Sequence, residues 1–325
     1  MTWAYQAPRW LPGGNFQTIY AAKLATTAAL KAQCWQRERW ATPDGDFVDV
    51  DWINRGLTGP RPMLVLFHGL EGSSSSHYAR SFAAQAMQRG WTMALPHFRG
   101  CSGEINLAPR AYHSGDHEEI DWMLQQCRQR HDGPMVAVGI SLGGNALMRW
   151  AGVAGHTASQ MIQGVASVCA PLDLTASGHA IDQGFNRRLY ARMFLHTMKP
   201  RALQKLEQFP NLFDRKALLA ADTLYAFDNV FTAPLHGFQN VDDYWLRASA
   251  KPGLAHIQIP ALVLNACNDP FVPAWCLPQG KEVSHTVTLW QPKAGGHVGF
   301  PNGPFPANVD AMPCAVLDWL KTTLH

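Results

Sequence analysis

The sequence predicts an α/β protein built on a doubly wound, mostly parallel sheet with an inserted, mostly helical lid. Short apolar runs recur along the chain and alternate with amphipathic stretches, as they do where helices cover both faces of a parallel sheet. The 325 residues are enough for one large hydrophobic core. A serine bounded by glycines, at residues 139–143, lies where an apolar run meets a helical pattern.

The predicted strands follow one another in a regular order. Residues 47–53 alternate in polarity after a Pro-Asp-Gly turn, which is typical of a half-exposed strand. Residues 62–67 are apolar throughout, which indicates a strand buried on both faces. The same kind of run predicts five later strands, at residues 91–95, 135–140, 164–171, 259–265 and 286–290.

Two helices between these strands have recognisable ends. Residues 76–89 are amphipathic and close at Gly90, a residue that suits a helix C-terminus. Residues 114–130 open with acidic side chains and close with basic ones, the arrangement that the helix dipole favours. The alternation of such helices with buried strands is what predicts the doubly wound sheet.

The alternation stops between Pro171 and about residue 257. This segment is rich in Phe, Tyr, Met and Leu, and it is too long for a plain connection between two strands. We therefore expect a single domain over residues 1–325, with a mostly helical lid inserted at approximately residues 175–255 (the lid segment). Ordinary peripheral packing helices are the alternative that the sequence leaves open.

Composition and charge argue against several classes of protein. An apolar content of 47% and a charged content of 16% are typical of a folded globular protein. The net charge of +3 is too small and too scattered to indicate nucleic-acid binding. The nearest approach to a membrane span, residues 19–30, is too short to cross a bilayer and is interrupted by Lys23. We expect no integral membrane segment.

The chain's start and its cysteines bear on location. The first six residues have neither the basic start nor the apolar core of a signal peptide. The seven cysteines are odd in number, irregularly spaced and without a C-x-x-C pair, as in a reducing compartment. The sequence therefore predicts a cytoplasmic protein.

Ser141 is the candidate nucleophile. A short apolar strand runs into G-x-S-x-G, and the residues after it continue at helical spacing. This strand–turn–helix context is the one that a nucleophile elbow needs. Gly139 and Gly143 leave room for the neighbouring backbone in so tight a turn. A glycine-rich turn with an incidental serine is the alternative.

A serine hydroxyl is a poor nucleophile unless a base accepts its proton and a carboxylate orients that base. In a sheet of this kind the expected chain order is serine, acid, histidine, each after a strand end. Asp269 and His297 follow the last two predicted strands in that order, although singly they could be a turn aspartate and a loop histidine. The order predicts a Ser141–Asp269–His297 triad. Asp242 and Asp243 are competing carboxylates, but they fall in the lid segment.

The loop at residues 68–72, after the strand at residues 62–67, completes the predicted site. The loop in this position normally supplies one N–H group of an oxyanion hole. We expect the backbone N–H groups of Leu142 and Leu70 to bind the charge that develops in the transition state. His68 is expected to brace the loop by hydrogen bonding. Such a site needs no cofactor and no metal.

Two other groups of residues have simpler interpretations. Residues 113–117 resemble a metal-ligating cluster, but no further ligands at metal spacing accompany them, so capping or structural roles are expected. Cys101 has no base placed for it, so a tight loop packed near the site is expected at residues 99–103. Some large apolar side chains of the lid segment are expected to face the substrate, among Phe185, Tyr190, Met193, Phe194 and Phe227.

Seven sequence blocks, spread over nearly the whole chain, carry a family resemblance. They lie at residues 10–18 (WLPGGNFQT), 43–47 (PDGDF), 68–72 (HGLEG), 97–104 (HFRGCSGE), 112–115 (YHSG), 139–145 (GISLGGN) and 295–300 (GGHVGF). In these blocks the chain resembles the YheT-type branch of the α/β-hydrolase superfamily, a group of esterases. Ile140 stands where an aromatic residue is frequent, and Asn268 stands where a charged residue is usual.

The resemblance implies an α/β-hydrolase fold and a serine esterase. It assigns the nucleophile, acid and base to Ser141, Asp269 and His297, in agreement with the argument from strand order. It further implies hydrolysis of short- to medium-chain acyl esters, so the expected partner is a small-molecule or lipid-like ester. Acyl transfer to an alcohol is the first alternative, because some relatives of this branch catalyse it. A non-catalytic binding protein on the same scaffold is the second.

Overall fold

A computed structural model of the chain describes residues 3–25, 35–56 and 59–324. Eight strands in this part of the chain form one sheet. They are β1 (Gln36–Ala41), β2 (Phe47–Ile53), β3 (Met63–Phe67), β4 (Thr92–Pro96), β5 (Met135–Ile140), β6 (Gly164–Val168), β7 (Ala261–Leu264) and β8 (Val287–Trp290). Their order across the sheet is β1-β2-β4-β3-β5-β6-β7-β8.

The six strands β3 to β8 are parallel to one another, and β2 runs antiparallel to both of its neighbours, β1 and β4. The predicted doubly wound, mostly parallel sheet is therefore confirmed. Phe67 of β3 pairs with Gly139 of β5, and Leu264 of β7 pairs with Trp290 of β8. This register brings the carboxyl ends of the central strands to one edge of the sheet, where α/β proteins bind ligands.

Strand β2 differs from the half-exposed strand that the sequence predicted, because all of its residues are buried. The alternation persists, but its polar side chains are covered by arginine side chains of the adjacent strand β1, which the sequence analysis did not predict. Arg37 of β1 donates two hydrogen bonds to the carboxylate of Asp51 of β2, and Arg39 of β1 donates two to that of Asp49. Buried carboxylates need such partners. The side of β2 that the sequence predicted to face solvent is therefore buried, and its carboxylates form ion pairs.

Helices cover both faces of the sheet. On one face the helices at residues 117–129 and 142–154 pack through Leu124 and Leu147, and on the other the helices at residues 77–88 and 311–321 pack through Phe82 and Leu317. The described helices outside the lid segment are α1 (Gly14–Lys23), α2 (His77–Gln88), α3 (His117–Gln129), α4 (Leu142–Ala154) and α12 (Ala311–Lys321). None of the helices in the described ranges has the length and apolarity required to cross a bilayer. Residues 26–30 of the apolar stretch noted above lie outside the described residues.

Seven helices lie between β6 and β7. They are α5 (Leu174–Ile181), α6 (Gly184–Asn186), α7 (Arg192–Gln208), α8 (Arg215–Ala220), α9 (Leu224–Phe227), α10 (Ala233–Leu235) and α11 (Val241–Ala248). A π-helical turn at Arg187–Ala191 joins α6 to α7, so residues 184–208 form one continuous helical run. The side chains of Leu218, Phe227 and Phe231 form a small core of their own within this segment.

Candidate active site

Ser141 lies in the turn between β5 and α4 with φ of 51° and ψ of −118°. A positive φ is strained for a residue with a side chain, so the surrounding structure must hold it. The glycines explain how this is done. A Cβ on Gly143 would lie 2.5 Å from the carbonyl oxygen of His68, and a Cβ on Gly139 would lie 2.4 Å from that of Gly143. The first turn of α4 therefore lies too close to the end of β3 for a side chain at Gly143, and too close to the end of β5 for one at Gly139.

The structure brings the predicted nucleophile, base and acid into one hydrogen-bonded chain. Nε2 of His297 lies 3.0 Å from Oγ of Ser141, and Nδ1 of His297 lies 2.9 Å from Oδ2 of Asp269. The other carboxylate oxygen, Oδ1, accepts hydrogen bonds from the N–H groups of Phe271 at 2.8 Å and Val272 at 3.3 Å. These bonds fix the carboxylate, which directs Nδ1–H toward Oδ2 and leaves Nε2 to accept the serine proton.

Helix α1 holds the loop that carries His297. The N–H of His297 donates to Oγ1 of Thr18 at 2.8 Å, and the N–H of Gly295 donates to Oε1 of Gln17 at 2.9 Å. A Cβ on Gly296 would lie 2.6 Å from a backbone oxygen of α1, so the two segments pack backbone against backbone. The sequence analysis placed neither Gln17 nor Thr18 in the site. Two of the blocks that carry the family resemblance, at residues 10–18 and 295–300, are in direct contact.

Cys169, at the end of β6, lies beside the acid and the base. Its Sγ, the Asp269 carboxylate and the His297 imidazole have ligand atoms within 4.8 Å of one another. Among the described residues this is the only cluster of such side chains at metal-ligand spacing. The thiol accepts the N–H of Val298 at 3.2 Å and donates to the Gly296 carbonyl at 3.6 Å. Burial raises the pKa of the Cys169 thiol well above its usual range, so it remains protonated and supports the histidine loop.

The two other clusters noted in the sequence reach the cavity in front of Ser141 through Arg99, His113 and Ser114, but their contacts are structural. Asp116 caps α3, because its Oδ1 accepts the N–H of Glu119 at 3.4 Å. His113 packs against the ring of His236, with centroids 4.5 Å apart. Burial raises the pKa of the Cys101 thiol to about 12, which makes it a poor nucleophile at neutral pH.

Leu70 and Leu142 border the same cavity as Ser141. The Leu142 amide is at the N-terminus of α4, and within the described ranges neither this N–H nor that of Leu70 donates to a protein acceptor. His68 braces the loop of Leu70, since its Nδ1 lies 2.8 Å from the Gly69 carbonyl and its Nε2 accepts the N–H of Phe98 at 3.0 Å. Burial lowers the pKa of His68 to about 3, so its ring is neutral and Nε2 is free to accept.

An ion pair joins this loop to the lid segment. Glu71, with φ of 57°, donates its N–H to Oη of Tyr112 at 3.0 Å, and Oη donates to Oε1 of Glu71 at 2.9 Å. Arg201 of α7 donates to the same carboxylate oxygen at 3.0 Å. The sequence analysis missed this group, because a glutamate and a distant arginine carry no local sign that they will pair.

The cavity in front of Ser141 has a volume of about 150 Å³ and walls that are largely apolar. Arg99 also borders it and pairs with Asp46 and Glu119, at 2.8 and 3.0 Å, so the loop at residues 99–103 does pack near the site. The apolar wall includes Leu174 and six side chains of the lid segment: Ile181, Phe194, Met198, Leu224, Phe227 and Phe231.

The five lid-segment residues named from the sequence fall into three groups. Phe194 and Phe227 line the cavity. Tyr190 is buried next to it, and Phe185 and Met193 are 58% and 45% exposed. The sequence signal, aromatic and apolar character, does not distinguish these environments, since only the position on the helical run decides which side chains face inward.

Comparisons with known proteins agree with this geometry. A model described as "alpha/beta hydrolase fold" matches residues 62–304. The "Putative esterase YheT" of Escherichia coli (strain K12) is 37% identical over 90% of this chain and 85% of its own. The human "Phospholipase ABHD3" is 25% identical over 94% of this chain and 76% of its own. A solved structure of "a membrane phospholipase A, a novel bacterial virulence factor" shares the fold, with a TM-score of 0.58 at 14% identity over 89% of this chain and 87% of that one.

Proposed function

The chain belongs to the YheT-type α/β-hydrolase family, and on that basis we propose that it hydrolyses carboxylic esters through an acyl-enzyme on Ser141. The observation that carries the proposal is the hydrogen-bonded chain of Ser141, His297 and Asp269 beside an apolar cavity. The names of two relatives, an esterase and a phospholipase, support ester hydrolysis as the class of reaction. The cavity suits a small-molecule or lipid-like ester with a short- to medium-chain acyl group.

The first step is attack on the ester. Oγ of Ser141 bonds to the carbonyl carbon while its proton passes to Nε2 of His297, and the carbonyl electron pair moves onto oxygen. The resulting oxyanion accepts hydrogen bonds from the N–H groups of Leu70 and Leu142. Those groups have no other acceptor among the described residues, so they are available where charge develops. Asp269 keeps the imidazole oriented and stabilises its positive charge.

The second half of the reaction reverses the roles. His297 gives its Nε2 proton to the departing alkoxide, the carbon–oxygen bond to the alcohol breaks, and the acyl group stays on Ser141. Water then attacks this ester while Nε2 accepts its proton. Collapse releases the carboxylic acid and returns the proton to Oγ. The protein supplies every group that these steps need, and no cofactor enters them.

The lid segment is the proposed source of acyl specificity. Its inward side chains, including Phe194 and Phe227, form the apolar wall against which the acyl chain would pack. This role is consistent with the domain organisation proposed from the sequence, which is one domain over residues 1–325 with the lid inserted at approximately residues 175–255. Residues at the strand ends of the sheet would then carry out the reaction, and side chains of the lid segment would select the acyl group.

Ser141→Ala tests the proposal. Turnover of a p-nitrophenyl butyrate probe should fall about a thousandfold or more, because only binding and the oxyanion hole remain, and fluorophosphonate labelling should disappear. Ser177→Ala is the matched control, since Ser177 also lines the cavity but has no base beside it, and it should keep both activities. Near-normal turnover by Ser141→Ala would overturn the assignment. A native protein that neither turns over esters nor takes the label would overturn the hydrolase proposal itself.

A further inference from the structure

We propose that the outer face of the helical run at residues 184–208, together with the start of α1, docks on an anionic lipid surface. We call this region the docking face and define it by Phe16, Phe185, Arg188, Arg192, Met193 and Lys199. The proposal concerns where the protein works, and it goes beyond the ester chemistry of Ser141. Charge, exposed apolar side chains and the position of the face relative to the triad support it.

The docking face carries a basic stripe. Arg188, Arg192, His196 and Lys199 recur at helical spacing, so they lie on one side of the run, and all four line a groove between it and α8. Arg187 also lines the groove and pairs with its single carboxylate, that of Asp222.

Two charges of the stripe, those of Arg188 and Arg192, are without a partner among the residues that the structure describes. Within the described ranges neither Arg188 nor Arg192 makes an ion pair or a hydrogen bond, whereas Lys199 donates to a backbone carbonyl. Both arginines are exposed. Two unpaired guanidinium groups in a groove with one carboxylate, already paired, favour an anionic partner.

Exposed apolar side chains lie next to the basic stripe on the docking face. Phe185 is 58% exposed and Met193 is 45% exposed on the same helical run. The hydroxyl of Tyr190 donates to Oδ1 of Asn15 at 2.9 Å, which joins the start of α1 to the run. The next residue, Phe16, is 63% exposed. Basic and aromatic residues that share a helical face are typical of a surface that lies in a membrane interface. An acidic protein or a nucleic acid would engage the charges but would not need the apolar side chains.

The docking face also lies next to the triad. A line of ring contacts leads inward from Phe185 to Tyr190, from Tyr190 to Phe271 and from Phe271 to His297, with centroids 6.5, 4.6 and 4.2 Å apart. The opposite side of the run contributes Phe194 to the cavity wall. One helix therefore presents its outer side to the lipid surface and its inner side to the substrate. This last step, delivery of a membrane-held ester to Ser141, rests on the proposed function.

The test measures binding of the Ser141→Ala protein to sedimented vesicles, which requires no turnover. Vesicles containing about one-third phosphatidylglycerol in phosphatidylcholine should bind it, with weaker binding at high salt. The double variant Arg188→Ala/Arg192→Ala should bind about 30-fold more weakly, because each basic side chain at an anionic surface contributes about 1 kcal/mol. The control Lys281→Ala/Lys321→Ala removes the same charge from exposed positions outside the face and should bind as before.

A second variant separates insertion from charge. Phe185→Ser/Met193→Ser should weaken vesicle binding while leaving its salt dependence unchanged. Three results would overturn the docking face: equal losses in the lysine control, equal binding to pure phosphatidylcholine, or no loss in the arginine variant. Binding of a soluble polyanion such as heparin as tightly as the vesicles, with no effect of Phe185→Ser/Met193→Ser, would replace the lipid surface with a polyanion. Vesicle binding without ester turnover by the native protein would refute the proposed function alone.

Discussion

The substitution Asp269→Asn tests how His297 is oriented, because the structure dictates how the new amide lies. Oδ1 of Asp269 accepts two backbone N–H groups, from Phe271 and Val272, and only the amide oxygen can replace it there. The amide nitrogen therefore takes the place of Oδ2 and donates to Nδ1 of His297. The ring proton must then sit on Nε2, which faces Ser141 and can no longer accept the serine proton.

The expected loss follows from the tautomer and from the missing negative charge. For the equivalent change in a serine triad kcat falls about 10⁴-fold, or about 5.5 kcal/mol of transition-state stabilisation, with the geometry preserved. All three hydrogen bonds to residue 269 survive, so KM and thermal unfolding should change little. Initial rates on p-nitrophenyl esters give kcat and KM, and the rate of fluorophosphonate labelling reports the reactivity of Ser141 independently.

Two aspartates of the lid segment provide matched controls. Asp242 accepts a hydrogen bond from the hydroxyl of Tyr225 at 3.0 Å, and Asp243 pairs with Arg247 at 3.0 Å, so neither approaches the triad. The same aspartate-to-asparagine change at either position should leave kcat within about twofold, as for surface changes remote from the site. A loss below tenfold at Asp269, or a comparable loss at either control, would refute the reasoning.

Two further predictions concern the cavity wall and acid stability. Phe194→Ala and Phe227→Ala should raise kcat/KM for longer acyl chains relative to acetyl, by about 1–3 kcal/mol per added methylene accommodated; an unchanged chain-length profile in both folded variants would place the acyl site elsewhere. The pKa of His68 is about 3 in the folded protein, against 6.5 ordinarily, so the unfolded state binds more protons between these values. The contribution of His68 to the free energy of unfolding in urea should therefore fall by up to about 5 kcal/mol as the pH drops from 6.5 toward 3. His68→Asn should flatten this dependence, and an equally steep fall in that variant would count against the buried neutral ring.

The sequence predicts the strands that pack by apolar burial and fails for elements held by other forces. The apolar runs that become β3 to β7 are recognisable in the sequence because every residue of these strands is buried, and β8 is recognisable although three of its four residues are only partly buried. Strand β1 has a polar sequence, so no apolar run marks it as a strand. Its arginines form ion pairs with Asp49 and Asp51 of β2, and these pairs exist only when the two strands are adjacent in the fold. Helices α1 and α12 were also missed, although α12 contributes Leu317 to the core.

The candidate site also contains residues that the sequence predicts and residues that it does not. Chain order and strand ends suffice to single out Ser141, Asp269 and His297, because a parallel sheet brings successive strand ends to one edge. The groups that support them are remote in sequence: Gln17 and Gly295, which are hydrogen-bonded, lie 278 positions apart. Contacts of that range depend on the completed fold, and no local pattern reports them.

The contact between α1 and the loop that carries His297 determines which fragments of the chain can keep that loop in place. The region shared with the hydrolase family model, residues 62–304, contains the three triad side chains but not α1. A fragment cut to that region would retain the three side chains of the proposed triad and lose the Thr18 oxygen that accepts the N–H of His297. The region matched by the family model is therefore narrower than the unit that the proposed chemistry needs, because the loop of His297 is held by α1, which lies outside that region.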